Sequence, residues 1–123
     1  MEILSIACGG AIGAVCRYLL GNVVSKIMLS SLPWGTFFIN ISGSFAMGVL
    51  MTLIVERELL PAAWRLFLCV GVLGGFTTFS SFGYEALMLL MEGRLLAAMG
   101  YAGGSVLLGM LAAGIGVLCA RSF

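Results

Sequence analysis

Four long apolar stretches, each about the length of a membrane-crossing helix, take up nearly the whole chain. One spanning helix needs about 20 apolar residues, and 62% of the 123 residues here are hydrophobic while only 9% are charged. A water-soluble domain of this size buries only about two-thirds of the surface that its chain exposes. It could not hide this much apolar surface, so the chain predicts an all-α membrane protein with lipid as its solvent.

Charged and turn-forming residues mark where the apolar stretches end. We predict four spans, over residues 4–29, 36–55, 66–91 and 95–120. Pro33 and Gly35 supply a turn between the first two spans. Residues 1–123 are thus interpreted as one four-helix transmembrane domain. The first stretch opens on Glu2 rather than on a basic region, so we expect a retained span and not a cleaved signal peptide.

The loop charges leave the orientation of the chain nearly balanced. The side that holds both termini carries Arg57, Arg65 and Arg121, and the opposite side carries Lys26 and Arg94. Orientation follows an excess of Lys and Arg on one side, and this excess is a single residue. Two interpretations stay open: one fixed orientation, or insertion both ways followed by pairing of oppositely inserted copies.

Composition disfavours several classes of function. A net charge of +1 gives no basic surface for nucleic acid. The chain has no histidine, the commonest proton shuttle and metal ligand, and its four cysteines form no C-x-x-C pair. With no nucleophile–base pair and no metal cluster, we do not expect an enzyme.

Polar stripes in the second and fourth spans indicate where function lies, because unpartnered polar groups are costly in lipid. Thr36, Asn40 and Ser44 recur every four residues and so share one helix face. Tyr101 and Ser105 do the same in the fourth span. Such stripes supply hydrogen-bond donors to a small anion, or they join neighbouring helices as structural hydrogen bonds.

Two ionisable residues lie within predicted spans, where a charge needs a partner or water. Arg17 lies deep in the first span, and Glu85 lies in the third. Arg17 either faces a polar path or extends its side chain to the nearer interface. Glu85 needs a hydrogen-bonding partner or a proton.

The middle of the third span carries residues that a lipid-facing helix rarely holds. They are small or hydroxyl-bearing: Gly74, Gly75, Thr77, Thr78, Ser80 and Ser81. Adjacent glycines followed by β-branched threonines weaken a helix, so we predict a third helix that is broken at mid-membrane. Phe79 and Phe82 lie three residues apart in this stretch. Their positive ring edges suit an anion, although phenylalanines at this spacing also suit core packing.

Glycine pairs four residues apart predict close approach of helices in lipid. The pairs are Gly9 with Gly13, Gly71 with Gly75, and Gly100 with Gly104. They serve packing inside one bundle or an interface between subunits.

Three segments now identify a family by resemblance: GGAIGAVCRY, GTFFINISGSF and GGFTTFSSFGYE, in that order in a four-span chain. Together they resemble the Fluc or CrcB fluoride channels, and the resemblance runs over essentially the whole chain. One small departure is Ser81, where the family often has threonine. The resemblance implies an antiparallel dual-topology homodimer in the bacterial inner membrane, with two pores that are each lined by both subunits.

The resemblance also implies roles for individual residues. A structural Na⁺ at the dimer centre is expected on the backbone carbonyls of Gly74 and Thr77. The fluoride pore is expected to use residues of all four spans: Arg17, Asn40, Phe79, Phe82, Tyr101 and Ser105. The polar stripes and the third-span hydroxyls add Thr36, Ser44 and Ser80 to this set.

The function implied is passive export of cytoplasmic fluoride, which protects the cell from fluoride toxicity. The main alternative is a small multidrug-type proton-coupled exporter, which needs a carboxylate in the first span. This chain has Arg17 there and no carboxylate, and Glu85 is in the third span. A second alternative, a membrane scaffold without transport, explains the glycines but not the aligned polar residues.

Overall fold

The structure, a computed structural model, describes residues 1–123 and contains helices but no strands. Four of these helical stretches are long and apolar enough to cross a membrane: Glu2–Ile27, Trp34–Glu56, Arg65–Met91 and Leu95–Arg121. The predicted all-helical, four-span architecture is therefore confirmed. Every predicted boundary lies within two residues of the observed one, because charged or turn-forming residues stand next to each end.

The spans consist of five α-helical segments. We number them α1 to α5: Glu2–Ile27, Trp34–Met51, Gly74–Phe76, Phe79–Met91 and Leu95–Arg121. Two further segments, Thr52–Glu56 and Arg65–Leu73, are wound more widely as π-helix, with hydrogen bonds between residues five apart. The third span is thus built from the π-helical segment, α3 and α4.

The first span packs against the first half of the third span through glycines. A side-chain carbon added to Gly9 would lie 3.0 Å from the Cα of Gly71. One added to Gly75 would overlap the backbone carbonyl of Gly10. Backbones come this close only where the side chain is a hydrogen atom, so the glycine pairs predicted for these two spans serve packing within one chain.

The second and fourth spans form an equally close pair. Gly48 lies against the carbonyl of Ala113, and Gly116 lies against the carbonyl of Phe45. By contrast, a side-chain carbon added to Gly100 would meet no other part of the chain within 4 Å. Its face is left for lipid or for a second protein chain.

Polar contacts join the ends of the spans on the side that holds both termini. Arg121 donates to both carboxylate oxygens of Glu56, at 2.7 and 3.1 Å. Arg57 donates to the backbone carbonyl of Arg121 at 2.7 Å. These contacts hold the end of the second span beside the end of the fourth.

Candidate functional site

The backbone of the third span is extended at Thr77 and Thr78. α3 ends at Phe76 and α4 begins at Phe79. Thr77 has φ −76° and ψ 159°, and Thr78 has φ −151° and ψ 118°, both in the extended region. A helix that ends here loses the donors that would have reached its last carbonyls, so these carbonyls and the Thr78 backbone need other partners.

Asn40 of the second span supplies partners to the Thr78 backbone. The Thr78 N–H donates to Asn40 Oδ1 at 2.8 Å, and Asn40 Nδ2 donates to the Thr78 carbonyl at 3.0 Å. In a continuous helix the Thr78 N–H would instead reach the carbonyl of Gly74, four residues earlier. One of the two Nδ2 hydrogens of Asn40 remains free for another acceptor.

The side chain of Thr78 caps the start of α4. Its Oγ1 accepts from the backbone N–H of Ser81 at 3.2 Å and donates to the Ser81 hydroxyl at 3.1 Å. The Ser80 hydroxyl lies 3.4 Å from the same oxygen. Three of the four hydroxyls predicted from this stretch therefore form one cluster around the buried Thr78, whereas the Thr77 hydroxyl donates to the carbonyl of Leu73 at 2.9 Å.

The carboxyl group of Glu85 has two hydroxyl partners. Thr36 donates to one of its oxygens and Tyr101 to the other, each at 2.7 Å. This arrangement joins the second, third and fourth spans, and it satisfies the carboxylate without a cation. Because a hydroxyl has one hydrogen, the donors of Thr36 and Tyr101 are directed at Glu85.

An aromatic series connects the third and fourth spans. The ring centroids of Phe79 and Phe82 are 5.7 Å apart, and those of Phe82 and Tyr101 are 5.4 Å apart, both pairs tilted by 49°. Tyr101 is buried, whereas the side of the series at Phe79 is open, with that residue 82% exposed. The predicted aromatic residues are thus brought together, and Phe79 faces outward from the chain.

Two serines of the predicted polar stripes differ in their bonding. Ser44 donates to the carbonyl of Asn40 at 2.7 Å, within its own helix. The Ser105 hydroxyl is buried and has no hydrogen-bond partner. A buried hydroxyl without a partner is costly. The Ser105 hydroxyl is therefore free to donate to an additional acceptor.

Arg17 lines a cleft of about 480 Å³ between the first, second and third spans. We call this the Arg17 cleft; its polar lining residues include Arg17, Asn22, Ser25, Ser30, Thr36, Thr78, Ser81 and Glu85. Arg17 therefore lies in a polar cleft rather than against lipid. Asn22 and Ser25 were missed from the sequence, although they follow Arg17 at five and eight residues on a helix.

A second cleft, of about 340 Å³, lies beyond Thr78 on the side that leads to the termini. We call it the Asn40 cleft; its lining comprises Asn40, Gly43, Ser44, Met47, Thr77, Thr78, Phe79 and Ala113. Thr78 lines both clefts. The extended segment and its partner Asn40 thus form the wall between them.

Comparison with known proteins gives a consistent result. The model of the family described as "CrcB-like protein, Camphor Resistance (CrcB)" matches residues 4–117. A protein named fluoride-specific ion channel FluC from Chloroflexus aurantiacus is 49% identical over 122 residues, which cover 99% of this chain and 97% of the relative.

Two other relatives that carry the same name are similar to this chain over most of its length. The one from Nitrobacter winogradskyi is 45% identical, with 94% of each chain covered. One from Thermus thermophilus is 49% identical, over 92% of this chain and 90% of the relative. The similarity therefore includes all four spans and both clefts.

Proposed function

This chain belongs to the CrcB-like family, and we propose that it is a fluoride-selective ion channel that lets cytoplasmic fluoride leave the cell passively. The relatives named fluoride-specific ion channels match it over almost their full length. The same similarity makes it a channel rather than an enzyme. It is a multi-pass membrane protein, and the bacterial inner membrane is its proposed location.

The observation that carries this proposal is the wall between the two clefts. The polar Arg17 cleft and the mainly apolar Asn40 cleft share Thr78, which Asn40 holds in place through two hydrogen bonds. A narrow passage between two wider clefts, with hydrogen-bonding groups at the point where they meet, is suited to conducting a small ion. The hydroxyl-lined Arg17 cleft is one entrance, and the Asn40 cleft leads away on the far side.

Fluoride is small and strongly hydrated, so a selective path must replace its water with close donors. Free donors include the second Nδ2 hydrogen of Asn40, at this wall, and the unpartnered hydroxyl of Ser105 in the fourth span. Ser80 adds a hydroxyl at the start of α4, and the edges of Phe79 and Phe82 add positive quadrupole.

Thr36, Tyr101 and Ser44 have a supporting role in this pore. Their hydroxyls already donate to Glu85 or to the backbone of Asn40, so they shape the path more than they bind the ion. Arg17 supplies the positive charge of the entrance.

The functional unit that we propose is an antiparallel homodimer of two oppositely inserted copies. Its support is the near balance of loop charges and an outward face on which Gly74, Phe79 and Ser80 are all exposed in the single chain. A second copy covering this face would bring its own aromatic side chains to each path. Each dimer would then hold two pores.

A structural Na⁺ at the centre of this dimer fits the backbone at the proposed mid-membrane break. Because the Thr78 N–H is bonded to Asn40 Oδ1, it does not occupy the Gly74 carbonyl. Thr77 precedes an extended residue, so its carbonyl also lies outside the helical pattern. Neutral carbonyl oxygens suit a hard monovalent cation, and the same pair from a second copy would complete the set.

The decisive experiment is efflux from liposomes that contain the purified protein. Fluoride should leave rapidly, while chloride and a cationic dye should be retained. Dye export driven by a proton gradient would support the multidrug-type alternative instead, and no transport at all would support a scaffold. Replacing Na⁺ with N-methylglucamine should lower the melting temperature of the dimer if Na⁺ is structural, and an unchanged melting temperature would contradict that site.

A further inference from the structure

The Arg17 cleft is much larger than a bare fluoride ion requires. It encloses about 480 Å³, within the range of about 300–1,000 Å³ that is usual for small-molecule sites. Arg17 lies ten residues from the end of α1 at Ile27, which corresponds to about 15 Å along the helix. Trp34 is close to this level, because a side-chain carbon added to its neighbour Gly35 would lie 3.4 Å from Gly21, one turn from Arg17 on α1.

The guanidinium of Arg17 has no partner in the chain. The ion pairs present are Arg94 with Glu92 and Arg121 with Glu56, and no hydrogen bond from the Arg17 side chain is formed. A guanidinium presents several N–H donors in a planar fork that matches a carboxylate or sulfonate. An unpaired, half-buried arginine that lines a cleft therefore has the donors that an oxyanion would need.

Glu85 faces the same cleft but does not neutralise Arg17. Both of its oxygens accept hydroxyl donors, from Thr36 and Tyr101. It lies on the opposite wall, six residues from the end of α4 at Met91. An anion that enters the cleft therefore passes a satisfied carboxylate and reaches an unsatisfied cation.

The apolar part of the cleft lining favours an apolar body beside the anionic group. Trp34, Tyr18, Leu32 and Met28 line the same cleft as Arg17. Flat aromatic side chains bind aromatic ligands through offset or edge contacts. Fluoride has no group to use these contacts, so they fit a ligand of a different chemical class.

We propose that the Arg17 cleft binds small organic monoanions of the aryl sulfonate or aryl carboxylate class, with the oxyanion on Arg17 and the ring against Trp34. Such an anion is too large to cross the wall at Thr78. Resting on the proposed channel function, it follows that the bound anion plugs the fluoride path.

Binding is tested first, without reference to transport. The probe is benzenesulfonate, which stays anionic and does not carry protons across the bilayer. Its contact with the protein is measured by saturation-transfer NMR in phosphatidylcholine nanodiscs. Neutral benzenesulfonamide, which has the same ring, should bind at least about tenfold more weakly, because it cannot form the charge-assisted pair with Arg17. Equal binding of the two compounds would overturn the proposal.

Variants locate the site. R17Q should weaken benzenesulfonate binding by about tenfold or more, and W34L should weaken it independently through the ring contact. R94Q removes an arginine from the same membrane side and should leave binding unchanged, which controls for surface charge. Binding that survives both R17Q and W34L would overturn the assignment. Loss of benzenesulfonate binding on adding phosphatidylglycerol would reassign the cleft to anionic lipid headgroups.

Transport is tested second. Benzenesulfonate should inhibit fluoride efflux in the concentration range in which it binds, and R94Q should be inhibited equally. Absence of fluoride efflux in every sample would contradict the proposed channel function, while the binding result would stand. Normal fluoride efflux at saturating benzenesulfonate would contradict the plug.

Discussion

The carboxamide of Asn40 and the backbone of Thr78 exchange two hydrogen bonds between the second and third spans, at 2.8 and 3.0 Å. The two residues are 38 positions apart in the chain. The amide side chain thereby replaces the helical partner that the Thr78 N–H would otherwise have, and it holds the wall between the two clefts. Changes to this contact and to its neighbours should therefore alter both flux and stability.

The first prediction concerns Asn40 itself. Asn40→Asp keeps the acceptor for the Thr78 N–H but replaces the donor by a carboxylate oxygen that faces the Thr78 carbonyl. An oxygen–oxygen contact of this kind should cost about 1–3 kcal/mol, and the new charge repels an anion. We expect fluoride efflux from liposomes to fall at least about tenfold.

Ser42→Ala is the matched control for Asn40→Asp. Ser42 is on the same helix, is exposed and donates only to carbonyls of its own helix. Efflux through Ser42→Ala should equal that of the unmodified protein. If Asn40→Asp conducted equally well, the role of Asn40 in the path would be wrong.

The second prediction concerns the aromatic series. Phe79→Ile and Phe82→Ile should each fold and dimerise but lose most fluoride flux, because an aliphatic side chain has no positive edge. Phe79 is 82% exposed, while Phe82 packs on Tyr101. Phe82→Ile should therefore also lower the melting temperature of the protein more than Phe79→Ile does.

Size-exclusion profiles and melting temperatures check folding for these variants. Phe45→Ile serves as the control, since Phe45 is outside the series and lines neither cleft. Full fluoride flux in both Phe79→Ile and Phe82→Ile would contradict the role of the ring edges in stabilising fluoride.

The third prediction separates orientation from direct binding in the group around Glu85. Tyr101→Phe keeps the ring and its contact with Phe82 but removes one donor to the carboxylate. Loss of one hydrogen bond of about 1 kcal/mol corresponds to roughly a fivefold effect, so fluoride efflux should fall by no more than this. A loss as large as that of Asn40→Asp would mean that the tyrosine hydroxyl contacts the ion directly.

The fourth prediction concerns the close approach of the second span to Thr77. A methyl group at Gly43 would overlap Thr77 Cγ2 and lie 3.3 Å from the Phe76 ring. Gly43→Ala should destabilise the protein by about 1–3 kcal/mol, the usual cost of overpacking, and should reduce flux by moving Asn40 away from Thr78.

Gly114→Ala is the control for this overpacking. A methyl group at Gly114 would meet no other part of the chain within 4 Å, and alanine favours a helix by about 1 kcal/mol over glycine. Thermal unfolding in detergent should therefore show opposite shifts for the two variants. A higher melting temperature for Gly43→Ala would contradict this prediction, because it would mean that the second span can move away from Thr77 without loss of stability.

The fifth prediction concerns topology. Near balance of the loop charges should place C-terminal tags on both sides of the membrane in the same cells. Adding two lysines to the loop at residues 92–94 should shift the tags to one side and abolish fluoride efflux, because oppositely inserted partners would no longer be available. Tags found on one side only in the unmodified protein would contradict dual topology.

The sequence predicts the fold of this chain closely, because each span is a long apolar run bounded by charged or turn-forming residues. It also predicts which residues of a span share a face, as for Thr36 and Asn40. It does not predict their partners, since these depend on how separate helices pack. The pairing of Asn40 with Thr78 and the use of Thr36 and Tyr101 by Glu85 are contacts of this kind.

Glycine patterns show the same limit. The pairs at Gly9 and Gly71 were recognisable from their spacing, and they pack face to face within the chain. The pair at Gly100 and Gly104 has the same spacing, yet Gly100 is left without a neighbour. Spacing indicates that a backbone can be approached closely, but not which surface approaches it.

The wall at Thr78 also determines where the membrane voltage acts. We expect water that enters the two clefts to carry little of the field, so that the potential over about 30 Å of hydrocarbon would fall largely across the Asn40–Thr78 layer. An elementary charge that crosses it gains about 2.3 kcal/mol per 100 mV. An anion that moves across this thin layer, over a distance of one or two residues, would therefore gain most of the energy that the membrane voltage provides.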